Sequence, residues 1–294
     1  MSMKTIPGQS DLRRSDIESE FSAFELKSFE ADGFVVARNL LDIATRERML
    51  QIARRDLQSG QGSVEYEAEL GYPGAPESMI EGGGRTVRRL KQCFSRDPIF
   101  AHYLARPEFV RRLEQLPCRP IVMPLAHHNC IMTKQPRFSS DTGWHQDIRY
   151  WSFKRPELVS VWLALGEERP ENGCLRVIPE SHRLDIDSDR LDDELFLRED
   201  LDINRELIEQ AEYVSLEPGD VLFFHCRLFH SAQRNRTRST KYSVVFTFRP
   251  SDTPPIPGSR SASLPEVLIS EKGSGLNCAK HPTNLRSVPG RSGN

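Results

Sequence analysis

A chain of 294 residues with a formal net charge of -2, 28% charged and 37% hydrophobic residues can bury a substantial core and exerts no electrostatic pull on nucleic acid. No run approaches the roughly 18 apolar residues that span a bilayer, and the opening MSMKTIPGQSDLRRSD lacks the apolar centre of a secretory leader, so a cytoplasmic protein without membrane or nucleic-acid partners is expected. Six cysteines without a CxxC pair suggest neither a zinc cluster nor a disulfide framework.

In chain order, residues 1–20 are polar and read as a flexible N-terminus. Ser22 can cap a short helix that runs to about Ala31 and stops at Gly33; FVVARNLL is strand-like, and residues 43–57 return to helical spacing. Residues 59–84, rich in Gly, Pro and Glu, read as a long mobile loop of the kind that covers a site. Helices are expected over about 98–105 and 107–116. From residue 119 to 250 short β-rich runs alternate with turn signals: IVMPLAHHNCIMT, LVSVWLALG, CLRVIP, AEYVSL, DVLFFHC and KYSVVFTFRP. Strands so spaced, with no helical crossovers, predict an antiparallel sandwich or jelly roll. Residues 191–209 read as a charged, poorly patterned insert and 251–294 as an irregular C-terminal extension, leaving one domain over 21–250.

The chemistry concentrates in GWHQDIRYW, residues 143–151. In a strand His145 and Asp147 share a face and Gln146 turns away. His230, in GDVLFFHCRLFHSAQ, offers a third ligand. Two histidines and one carboxylate that leave one face of the metal open are the set expected of a non-heme iron(II) oxygenase. Of the other histidines, His225 faces away from His230 in an unbroken strand and reaches the metal surroundings only if the chain turns after Cys226. His182 suits a backbone hydrogen bond. His127 and His128, adjacent on a strand, put at most one ring in the pocket, and His102 and His281 read as surface residues.

Five stretches occur in order: FEADGFVVARNLL, TKQPRF ahead of WHQD, VWLALGEERPENGCLRVIPESH, EPGDVLFFHCRLFHSA and RNRTRSTKYSVVFTF. In these the chain resembles the phytanoyl-CoA dioxygenase family of iron(II)- and 2-oxoglutarate-dependent oxygenases. The resemblance implies a double-stranded β-helix (a cupin-like jelly roll) with helices outside, iron(II) on His145, Asp147 and His230, and 2-oxoglutarate and O2 as co-substrates. It implies hydroxylation of a small organic substrate with release of succinate and CO2. Halogenating relatives replace the acid with a small residue, so Asp147 favours hydroxylation.

The same resemblance places the distal carboxylate of 2-oxoglutarate on Lys241, where the family usually has arginine, with Ser243 as a second donor and Arg236 and Arg238 as nearby alternatives. Lysine is a point charge where arginine is a planar fork, so co-substrate affinity is what the exchange touches. Trp162 would line that pocket, and Arg88 falls where relatives present a lysine to it. Cys130 and Gln146 are further wall candidates, with plain sheet packing as the alternative for each. Arg149, Tyr150 and Trp151, followed by Lys154 and Arg155, would form a basic, aromatic rim suited to an anionic substrate. One rival is a cupin-like metal-dependent isomerase, lyase or binding protein without 2-oxoglutarate turnover, which Lys241 favours. Another is a non-catalytic homologue, whose usual mark is a lost ligand. A serine hydrolase is disfavoured by the absence of GxSxG.

Overall fold

Ser22 opens the first helix with both halves of a capping box: its hydroxyl accepts from the Glu25 N–H at 3.3 Å, and the Glu25 carboxylate accepts from the Ser22 N–H at 2.8 Å. Helix α1 (Ala23–Asp32) ends at Gly33, whose φ of 86° is left-handed. A Cβ there would also fall 2.5 Å from the His182 ring, so glycine alone suits the position. Strand β1 (Phe34–Ala37) and helix α2 (Ile43–Ser59) follow, then β2 (Val64–Tyr66), β3 (Val87–Lys91), α3 (Pro98–Leu104) and α4 (Pro107–Gln115). The β-rich part holds β4 (Ile121–Pro124), β5 (Asn129–Lys134), β6 (Thr142–His145), β7 (Val159–Ala164) and β8 (Leu175–Val177). Helix α5 (Asp202–Ile208) precedes β9 (Glu212–Val214), β10 (Val221–His225), β11 (His230–Ala232), β12 (Lys241–Pro250) and β13 (Glu266–Ile269). This is a computed structural model that describes residues 19–116 and 120–270; the expected loose N-terminus falls almost wholly outside those residues, as does His281.

All strand pairs are antiparallel. The larger sheet runs β1-β10-β7-β12-β5-β3-β2, with β4 joined to the far end of β12 and β13 to β4; the smaller runs β6-β11-β8-β9. Alternation along the central strands sends side chains to two cores. Val221 and Phe223, Val161 and Leu163, and Val244 and Phe246 pack outward against the helices. Leu222 and Phe224, Trp162 and Ala164, and Val245 pack inward with Leu175, Val177 and Ala232 of the smaller sheet. The result is a two-sheet jelly roll with α1–α4 on the outer face of the larger sheet and α5 packed beside the smaller one, and the inner core is where the site lies.

Several expectations need correction. The 59–84 segment is not one loose loop: β2 pairs with β3, and Glu67 behind it is fully buried. IVMPLAHHNCIMT is two strands, with His127 and His128 in the turn between β4 and β5. The tail is not wholly irregular, because β13 pairs with β4 and buries Val267 and Ile269. The 191–209 insert contains α5 and buries Phe196 and Leu197.

Candidate metal centre

Strand β6 stops at His145, and Asp147 opens a short 3-10 turn ending at Tyr150. The HxD pair therefore straddles a strand end rather than lying within a strand, yet both side chains converge. His230, at the start of β11, pairs directly with His145 across the smaller sheet. The three ligand atoms lie within 4.8 Å of one another, with His230 Nε2 3.5 Å and His145 Nε2 4.0 Å from Asp147 Oδ1.

Each ring is fixed from behind. His145 Nδ1 donates to the Gly143 carbonyl at 2.8 Å and His230 Nδ1 to the Leu228 carbonyl at 2.9 Å, an arrangement that turns both Nε2 lone pairs toward Asp147. Burial, the neighbouring His230 and the Arg149 guanidinium hold His145 well below the usual imidazole range, which keeps it neutral as a ligand must be. Burial would raise the Asp147 pKa, but His128 and His230 outweigh it and the carboxyl is held well below the usual carboxylate range. Asp147 is itself oriented by His128 Nε2 at 2.8 Å and the Ser160 hydroxyl at 2.5 Å. Two imidazoles and an oriented carboxylate, converging with one side open, fit iron(II) in donor type and in number.

Two cavities meet at this centre. A polar cleft of about 430 Å³ is lined by His145 and Asp147 together with Arg89, Arg149, Tyr150 and Trp151. Behind it lies an apolar cavity of about 40 Å³ that touches all three ligands, Trp162, Leu175 and Val245. Arg149, Tyr150 and Trp151 thus lie in the cleft wall beside two of the ligands. Arg149 lies over the Phe196 ring at 4.0 Å and bonds to the Tyr72 hydroxyl, while Phe196 meets His145 edge-on at 5.7 Å. The 59–84 segment therefore supplies part of the cleft wall through Glu65, Leu70 and Tyr72, and Phe196 of the insert backs Arg149 and His145. Lys154 and Arg155 are exposed, and Arg155 pairs with Glu157 and Asp252 away from the cleft.

The expected wall residues divide. Cys130 lines the cleft. Gln146 turns outward and donates to the Arg227 carbonyl at 2.6 Å, as the alternation within the HxD predicts. Arg88 borders the inner cavity, but its terminal nitrogens are taken up by Glu67, Ser140 and Thr142. A bulge explains its position: Glu65 pairs with Arg89 and Tyr66 with Val87, so Arg88 is skipped. Arg89 beside it lines both cavities and keeps a buried Nε without a partner. Arg236 and Arg238 are exposed. His127 and His128 both line the cleft because they sit in a turn, against the expectation of one at most. His225 faces His182, away from the metal centre, and His182 bonds to the Glu30 carbonyl as expected.

Lys241, Ser243 and Trp162 are brought together on the inner face, but around a residue of the chain itself. Lys241 Nζ donates to Glu168 Oε2 at 2.8 Å, and Ser243 Oγ and Trp162 Nε1 donate to Glu168 Oε1 at 2.6 and 2.7 Å. The three are of the right kind for a ligand carboxylate, but they already hold one. Glu168 escaped notice because GEERP reads as a charged turn. Ser160 escaped too, although it shares a strand face with Trp162; Arg260, which lines the cleft, lies in the tail.

A sequence model of the phytanoyl-CoA dioxygenase (PhyH) family matches residues 29–243. The chain belongs to the phytanoyl-CoA dioxygenase family. Among similar proteins, the peroxisomal phytanoyl-CoA dioxygenase of Rattus norvegicus is 25% identical over 242 residues, covering 77% of this chain and 68% of the relative. L-proline trans-4-hydroxylase of Streptomyces griseoviridis is 26% identical over 205 residues, covering 62% of this chain and 75% of the relative. The solved structure of EctD from S. alaskensis with 2-oxoglutarate and 5-hydroxyectoine aligns with a TM-score of 0.66 at 19% identity, over 80% of this chain and 78% of that one. As a member of the phytanoyl-CoA dioxygenase family with its His–Asp–His set together, the protein is an iron(II)- and 2-oxoglutarate-dependent dioxygenase. Among the described residues no helix is long and apolar enough to cross a membrane.

Proposed function

We propose that the protein hydroxylates a small anionic substrate seated in the polar cleft, with His145, Asp147 and His230 holding iron(II). The observation that carries this reading is the convergence of the three ligand atoms within 4.8 Å at the junction of the cleft and the inner cavity. Bound there, iron(II) and 2-oxoglutarate supply the activation of dioxygen, with succinate and CO2 as the co-substrate's products.

The chain's own part is to position and to exclude. His128 and Ser160 hold the Asp147 carboxylate in place, and the two backbone carbonyls hold the imidazoles. Arg149 and Arg260, with Trp151 and Tyr150, give the cleft a cationic and aromatic lining that recognises a carboxylate, phosphate or thioester-linked anion. Arg89, which lines both cavities and pairs with Glu65 through one terminal nitrogen, is the residue we assign to anion contact in place of Arg88, whose terminal nitrogens are both taken up. Lys241, Ser243 and Trp162 are engaged with Glu168, so no step is routed through them here. Among the described residues the four cysteines are buried and free, in keeping with action in a reducing, cytoplasmic compartment.

The test is an anaerobic titration of iron(II)-loaded protein with 2-oxoglutarate, following the visible charge-transfer band of the complex. The wild type is expected to develop the band and His145→Ala to lack it. Iron binding with no band at any 2-oxoglutarate concentration would favour a metal-dependent activity without that co-substrate.

A further inference from the structure

Glu168 is held as a ligand would be. Its side chain is fully buried, and an ammonium, a hydroxyl and an indole N–H all converge on its two oxygens at 2.6–2.8 Å. The Lys241 ammonium also lies 5.0 Å from the Trp162 ring centroid. A cation and two neutral donors in a water-excluded setting form a carboxylate-binding cradle. Trp162, one wall of this cradle, also lines the inner cavity with all three metal ligands. At about 40 Å³ that cavity has room for a few waters, each needing about 10–15 Å³, and none for a five-carbon diacid while Glu168 stays in place.

The neighbouring lysine offers no substitute for Lys241. Lys134 is the cross-strand neighbour of Lys241, but its ammonium faces the carbonyls of Ser140, Ala232 and Gln233, which take up its three donors. The Glu168 backbone is fixed by reciprocal hydrogen bonds with Leu216 at 2.9 and 3.1 Å. Any exchange in the cradle therefore moves the Glu168 side chain alone.

We propose that Glu168 is a tethered carboxylate seated in the cradle of Lys241, Ser243 and Trp162, and that a dicarboxylic 2-oxo acid binds beside the metal only by displacing it. The proposal rests on the oxygenase reading above. Displacement strips a buried charge of its partner, which is costly, so the apparent affinity for 2-oxoglutarate is reduced by the fraction of molecules in which the cradle is open. A monocarboxylic 2-oxo acid such as pyruvate escapes that reduction.

The experiment is anaerobic calorimetry of the iron(II)-loaded wild type, Glu168→Ala and Glu168→Gln with 2-oxoglutarate and with pyruvate. Glu168→Ala is expected to bind 2-oxoglutarate about tenfold tighter than the wild type while its pyruvate affinity stays nearly constant. Glu168→Gln keeps the shape but leaves Lys241 without a counter-charge, so it too should bind 2-oxoglutarate tighter, and it serves if the alanine variant does not fold. A metal-free reading uses glutarate, which has no keto group with which to chelate: it should raise the Tm of Glu168→Ala and leave that of the wild type unchanged. Equal or weaker 2-oxoglutarate binding in the folded variants, or parallel changes for pyruvate, would overturn the proposal. Absence of iron binding, or of binding by either 2-oxo acid in all three proteins, would instead overturn the oxygenase reading, and glutarate would still report on the cradle.

Discussion

Asp147 receives one hydrogen bond on each oxygen, from His128 at 2.8 Å and from Ser160 at 2.5 Å. Such outer contacts set the angle at which a carboxylate meets its metal, and their loss typically costs about 10–100-fold in metal affinity. Ser160→Ala removes one hydroxyl from a fully buried strand position and leaves the packing nearly unchanged. Iron(II) affinity, measured by competition with a chromophoric chelator, is expected to fall within that range; an unchanged affinity would show that His128 alone holds the carboxylate. The triad was legible as residue types at suggestive spacings. Ser160 and Glu168 were not, because a serine in a strand and a glutamate in a turn carry no local sign of what lies across a sandwich.

At the scale of elements, what the sequence displays best is what is decided locally. Ser22 and Gly33 mark the ends of α1 by capping chemistry alone, and Asp42 does the same for the start of α2, accepting from the Thr45 N–H at 3.0 Å and the Thr45 hydroxyl at 2.7 Å. Burial alone would raise the pKa of Asp42, but these bonds and the Arg106 guanidinium outweigh it and lower it to about 2 from 3.8. A carboxyl depressed in the folded state stabilises above its unfolded pKa and loses that contribution as pH falls through the folded one. Asp42→Ala should therefore cost about 1 kcal/mol at neutral pH, seen as a lower urea midpoint. The difference from wild type should shrink as pH falls from about 4 toward about 2; a gap that persists at low pH would assign the loss to something other than the ionised cap. Strand β3 was missed for the opposite reason. Arg88 and Arg89 meet Glu67 and Glu65, acids that lie more than twenty residues away in the chain, and VRRLK by itself shows no alternation that would mark a strand. β6 and β11, of four and three residues, are too short for any alternation to register.

For the molecule as a whole, the tail belongs to the fold. Val267 and Ile269 are 1% and 3% exposed, and burying such side chains contributes about 1.5–3 kcal/mol each as an upper estimate. Ser261 accepts from the Ser152 N–H and bonds to His127, each at 2.8 Å, which ties the tail to the cleft. Deleting residues 251–294 should lower the Tm by several degrees and expose apolar surface to a reporter dye. An unaltered melting curve would show that β13 adds nothing to stability. The sandwich itself was legible from six apolar runs, but β13 was not, since EVLI has too few residues to stand out within a stretch rich in Pro and Ser.

Ser261 and Arg260 lie beyond residue 243, where the family match ends, and Phe196 projects from an insert between two strands of the smaller sheet. Arg260 thus brings to the cleft a cationic side chain from outside the stretch that carries the iron ligands, whereas Arg149, Tyr150 and Trp151 follow directly on the HxD pair. On the proposed reading, exchanging the tail alters one face of the cleft while the iron-holding strands stay untouched, and a designer who wants a new specificity has that stretch to graft.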